Sequence, residues 1–172
     1  LSKENTPTTV TYEKMLKAVK ESGARVLAAV PGNIYSLDEA EFQIIAPFEQ
    51  DENLNNMSVG IKLTYQGKSF LFTGDAEKAV EKQMMNSEYD LSADVFKLAH
   101  HGSSTSNSKA FLQAAAPDYA VISCGEDNSY GHPHREIVDL LYDLDMYVYR
   151  TDRDGSVVFT VNNNELKVVT EK

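Results

Sequence analysis

Apolar spacing divides the chain into a readable series of elements. From Thr11, the residues Tyr12, Met15, Leu16 and Val19 fall on one face of a helix that Gly23 can close. "ARVLAAV" (24–30) reads as a strand ended by Pro31-Gly32, and "EFQIIAP" (41–47) as another. After the turn-rich "DENLNN", Val59, Ile61, Leu63 and Tyr65 alternate with polar or small residues. Gln66-Gly67 turns the chain and "KSFLFT" returns, which is a hairpin pattern. Gly74-Asp75 ends it, and "AEKAVEKQMM" follows at helical spacing with Ala76, Val80 and Met84 on one face.

The pattern then repeats. "DVFKLA" is a strand, "KAFLQAAA" a helix stopped by Pro117, and "YAVIS" a further strand. After the loop "CGEDNSYGHPHR", Pro133 suits a first helical position, and Ile137, Val138, Leu141 and Leu144 give the next helix its apolar face. The end, "MYVYRTDRDGSVVFTV" and "ELKVVT", reads as a β-meander with turns at "DRDG" and "NNN". Strands alternating with helices, with antiparallel hairpins at each flank, predict an α/β domain over residues 1–172, its first eight residues a loop or frayed terminus. In such sheets ligands gather beyond the carboxyl ends of strands. Gly74-Asp75, "HHGSSTS" and "GEDNSYGHPH" all occupy that kind of position.

Composition narrows the function classes. The formal net charge of −10 repels polyanions, so a phosphate-bearing substrate needs metal ions or a local basic patch to offset that field. The single cysteine, Cys124, supports neither a disulfide framework nor a cysteine zinc site; it is expected to be a small buried residue at a strand end. No apolar run is long enough to cross a bilayer, so no membrane contact is expected from this segment.

The chemistry concentrates in the three loops. All four histidines fall in two of them, His100 and His101 in one, His132 and His134 in the other. Imidazole is the commonest metal ligand and also a general acid or phosphate partner. Alternation along an extended segment would point His100 and His101 in opposite directions, leaving at most one on a given metal. Asp75 ends a buried strand, where a carboxylate can bridge two cations or cap the following helix. "DRDG" reads as a hairpin turn rather than a calcium loop, and "GSSTSNS" as a phosphate- or water-facing loop that caps the next helix.

The stretches "NNMSVGIKLTYQGKSFLFTGDAEKAVE", "DVFKLAHHGSSTSNSKAFLQAAAPDYAVISCGEDNSYGHPHREIV" and "VYRTDRDGSVVFTV" resemble the metallo-β-lactamase fold in its ComEC/Rec2-type competence-protein branch. The resemblance implies the C-terminal portion of an αββα sandwich with mixed sheets. It implies that Asp75 bridges two divalent ions, zinc or manganese, with His101 (or His100) as a further ligand. His100, His132 and Lys97 take catalytic positions around a phosphoryl group, and Ser103, Ser104, Asn128 and Tyr130 face substrate. Two departures matter. The family's "HxHxDH" ligand run is absent, so the chain is expected to begin partway through the domain, to need that missing N-terminal part as a partner, and to bind metal weakly or not at all by itself. Ser123-Cys124-Gly125 stands where the wider superfamily delivers a last histidine, a role His132 could fill.

The function implied is metal-dependent hydrolysis of a phosphodiester, with DNA as the leading substrate and two metals activating a water. Hydrolysis of a small ester, lactone or thioester on the same fold is one alternative, and a non-catalytic DNA- or partner-binding domain is the other. The resemblance favours an extracellular or cell-surface location, with the cytoplasm as the alternative.

Overall fold

The computed structural model describes residues 9–172, so the expectation for the first eight residues lies outside it. A central sheet of seven strands carries the molecule: β1 (Ile34–Leu37), β2 (Ala40–Ala46), β3 (Gly60–Tyr65), β4 (Lys68–Phe72), β5 (Val95–Lys97), β6 (Tyr119–Ile122) and β7 (Tyr147–Arg150), in that spatial order. Strands β1 to β4 pair antiparallel, whereas β4 to β7 pair parallel. The parallel half needs crossovers, and helices supply them: α2 (Lys78–Asn86), α3 (Lys109–Ala115) and α4 (Arg135–Asp143). A consequence decides everything below: the carboxyl ends of β4, β5 and β6 lie side by side, so the loops that follow them meet.

Alternation sorts the parallel strands into two faces. Leu71, Phe96, Ala120 and Ile122 turn to the helices and share one buried cluster with Val80, Met84, Phe111, Leu112, Ile137 and Leu141. Phe96 meets Phe111 edge-on at 5.7 Å between centroids, and both are fully buried. Each such side chain contributes about 1.5–3 kcal/mol by leaving water. On the other face the hairpin β8 (Val157–Asn162) and β9 (Glu165–Thr170) forms a second sheet. Its Phe159 packs against Phe70, Tyr119 and Tyr149. The layers run helix, large sheet, small sheet, and the α/β class is as the alternating pattern implies.

Several boundaries differ from the sequence reading. Residues 24–30 form no strand; Val26, Leu27 and Val30 are exposed, and pairing begins only at Ile34. The first helix, α1 (Val10–Ser22), ends at Gly23 in the left-handed conformation as expected, but buries none of its residues. The C-terminal run is no meander: β7 joins the large sheet, and the expected "DRDG" turn is a single helical turn, α5 (Thr151–Asp154), that carries the chain to the second sheet. Arg150 donates to the Asp152 carboxylate across that turn, favouring the helical form over a hairpin. Pro133 lies two residues before α4, whose N-cap is His134.

Candidate active site

The turn after β4 is set by close contact. Gly74 has φ +59°, and a Cβ there would stand 2.8 Å from the Ser58 Cβ. The Ser58 hydroxyl accepts the Asp75 N–H at 3.0 Å, fixing where the carboxylate projects. The N-cap of α2 is Glu77, so Asp75 does not cap that helix.

The next loop is more constrained. His100 and His101 both take left-handed backbone angles (φ 48° and 56°), so the segment is not extended and the expected opposition of the two rings does not occur. Both rings lie against His132, at 5.4 and 6.3 Å between centroids. His101 Nδ1 lies 2.6 Å from the Ser123 carbonyl. A carbonyl only accepts, so Nδ1 carries a proton, and in the neutral ring Nε2 keeps its lone pair. That Nε2 faces Asp75 Oδ1 at 4.0 Å, with both side chains about half exposed. This is how a metal-ligating histidine is usually braced, through its second nitrogen.

The third loop docks on the second. Gly102 has φ +80°, and a Cβ there would meet the Pro133 Cβ at 2.7 Å. The His134 N–H donates to the Gly102 carbonyl at 3.1 Å. The Ser104 N–H donates to His134 Nδ1 at 3.0 Å, leaving the His134 proton on Nε2. His134 is therefore a brace between loops, a role that sequence spacing did not reveal. His132 stacks on Tyr130 at 5.8 Å, and burial, then the neighbouring His134, His100 and His101, push its imidazole below the ordinary value against the pull of Asp75. Tyr130 is 79% exposed and presents an open ring face beside a cleft of about 290 Å³ lined by His101, Ser123, Cys124, Gly125, Asn128, Tyr130 and His132.

The remaining expected residues fall as follows. Lys97 is half-buried at the end of β5, its ammonium donating to the Leu98 carbonyl at 3.4 Å; burial pushes its ammonium down and Asp75 pulls it back up. Ser103 is buried, its hydroxyl 3.2 Å from that of Thr105, and the Ser104 hydroxyl lies 2.9 Å from His134 Nδ1, so both hydroxyls take part in the loop network. Asn128 donates to the Gly125 and His132 carbonyls and accepts the His132 N–H, closing its own loop. Cys124 is half-buried, and burial followed by Asp152 raises its thiol.

The donor chemistry suits a divalent ion in part. Two ligands each about 2.0–2.2 Å from one tetrahedral zinc stand about 3.3–3.6 Å apart, so the Asp75–His101 spacing of 4.0 Å has to close by a few tenths of an ångström to share an ion. Among the described residues, however, no three His, Cys, Asp or Glu side chains form a group able to hold a metal ion. The site supplies part of a coordination shell.

Comparison with known proteins shows the family. A family model described as the metallo-beta-lactamase superfamily matches residues 12–126. The chain belongs to that superfamily. Its matched span includes Asp75, His100 and His101 and stops short of Tyr130 and His132. Among relatives, ComE operon protein 3 of Bacillus subtilis is 34% identical over 152 residues, 88% of this chain and 20% of that protein. Competence protein ComA of Neisseria gonorrhoeae is 32% identical over 134 residues, covering 76% of this chain and 19% of that protein. Recombination protein 2 of Haemophilus influenzae is 32% identical over 128 residues, 74% of this chain and 16% of that protein. The chain thus spans about a fifth of the length of these relatives. Members of this metallo-β-lactamase superfamily typically bind divalent metals. No described helix is long and apolar enough to cross a membrane.

Proposed function

We propose that this domain is a metal-dependent hydrolase of phosphodiesters, acting on DNA. The observation that carries the reading is the pairing of Asp75 Oδ1 with His101 Nε2 at 4.0 Å, the other imidazole nitrogen tied to the Ser123 carbonyl. Asp75 and His101 would hold one or two divalent ions, zinc or manganese, which when bound supply charge stabilisation and an acidified water. The other residues act around them. His100 and His132 flank the cleft and donate to non-bridging phosphoryl oxygens, and the Lys97 ammonium steadies the charge that builds up there. Tyr130 offers its exposed face to a base, a contact worth about 1–3 kcal/mol. Asp75 and His101 alone make an incomplete shell, so metal binding through them is expected to be weak.

Likeness to competence and recombination proteins supports DNA as the substrate. The net charge of −10 makes binding depend on metal or local cations, and those cation–phosphate contacts weaken as salt rises. A second reading, a DNA- or partner-binding domain without catalysis, draws on the incomplete ligand group among the described residues. The deciding experiment measures manganese- or zinc-dependent cleavage of single-stranded DNA by the protein that carries this domain, beside hydrolysis of small esters. Cleavage abolished by Asp75→Ala supports the proposal. No DNA cleavage at any metal concentration ends it, and ester hydrolysis alone would move the activity to that class.

A further inference from the structure

Behind the histidine loop lies a buried polar cluster that touches neither the cleft nor solvent. Asn107 is fully buried, Glu81 is 1% exposed, and no cation pairs with the Glu81 carboxylate among the described contacts. Both Glu81 oxygens accept backbone N–H groups instead, one from Asn107 and one from Ser108 at 3.0 Å. The Asn107 carboxamide closes the loop upon itself: it accepts the Ala99 N–H at 3.0 Å and donates to the Ala99 and Ser103 carbonyls, each at 3.0 Å. These anchors bracket His100 and His101 on both sides. Between them three non-glycine residues, His100, His101 and Asn107, hold positive φ. Such backbone is strained and persists only where surroundings enforce it.

We infer that Glu81 and Asn107 are positioning residues for the candidate site, holding the His100–His101 backbone so that His101 Nδ1 reaches Ser123 and Nε2 faces Asp75. The link from clamp to metal binding rests on the proposed function; the link from clamp to imidazole geometry does not. Asn107 reaches the loop and Glu81 reaches Asn107, so the chain of contacts runs from α2 to the site without any group that could touch substrate.

The test uses Asn107→Gly, which keeps the positive φ while deleting the carboxamide, and Glu81→Gln, which keeps the side chain's shape. Nitrogen-15 NMR of the whole chain reports which His101 nitrogen is protonated, and Zn2+ alone is titrated in parallel. In the unaltered protein the His101 proton is expected on Nδ1, protected from exchange. In both variants that signal is lost or broadened and Zn2+ affinity falls about tenfold. A purely structural role would lower the melting temperature and leave His101 unmoved, and that result overturns the inference. Should the glycine variant not fold, Glu81→Gln carries the same prediction by itself. If His101 shifts as expected while the protein cleaves no DNA, the clamp stands and the hydrolase reading falls.

Discussion

The parallel half of the sheet and the N-terminal segment ahead of it are equally apolar in pattern and opposite in outcome. Strands β4 to β6 with α2 and α3 bury Leu71, Phe96, Phe111 and Leu112 completely. In α1 and residues 24–30, Met15, Leu16, Val26, Leu27 and Val30 stay 47% exposed or more. Periodicity reports that a face wants a partner; it does not say which. For the parallel half the partner is the crossover helix next in sequence. α1 buries none of its residues, and its helix rests chiefly on local terms: the Thr9 cap accepting the Tyr12 N–H and the Gly23 stop. Functional groups follow the same division, since all of them sit at the carboxyl ends of the buried strands.

The comparison breaks most visibly under core truncation. Phe96→Ala should cost about 3–5 kcal/mol and Leu71→Ala about 2–5, read from urea unfolding of this chain. Next, Gly102→Ala should cost about 1–3 kcal/mol, from a positive φ and the 2.7 Å approach to Pro133, and should loosen the third loop from the second in hydrogen exchange. The junction between halves gives a pH effect. Asp90 accepts from Lys62 and Ser92, which bring its carboxyl from 3.8 to about 2. A depressed carboxyl stabilises above its unfolded value and is lost as pH falls, so the contribution fades from about pH 4 down to about 2. Asp90 is largely exposed, and solvent screening holds its effect below about 1 kcal/mol; Asp90→Asn should flatten that limb of the acid stability curve. Smallest of all, Leu16→Ala should change stability by less than about 0.5 kcal/mol. A large loss there would mean α1 packs more tightly than its exposure indicates.

Legibility in the sequence follows how local each determinant is. The β3–β4 hairpin, the Gly23 stop and the Ser108 cap of α3 depend on residues within a few positions, and their patterns state them. The three loops were legible because parallel strands force their carboxyl ends together. The strand expected at 24–30 failed because β-branched residues need a neighbouring strand, and the chain pairs Ile34–Leu37 instead. The engagement of Ser103, Ser104 and Asn128 within loops was hidden, since a hydroxyl or amide that braces a loop looks in sequence like one that meets substrate. Glu81 left a faint mark: it adjoins Val80 on the buried face of α2, an odd place for a carboxylate. Asn107 left another, an asparagine before a serine cap, suited to left-handed backbone.

The central proposal is that Asp75 and His101 together seat a cation beside the His132 ring. Titrating this chain with Mn2+ and following paramagnetic broadening of its imidazole signals tests it directly. The account predicts that His101 and His132 broaden first and together, and that Asp75→Asn removes the effect. Broadening spread over surface carboxylates such as Glu136 and Asp139, with those two rings no more affected than the rest, would contradict it.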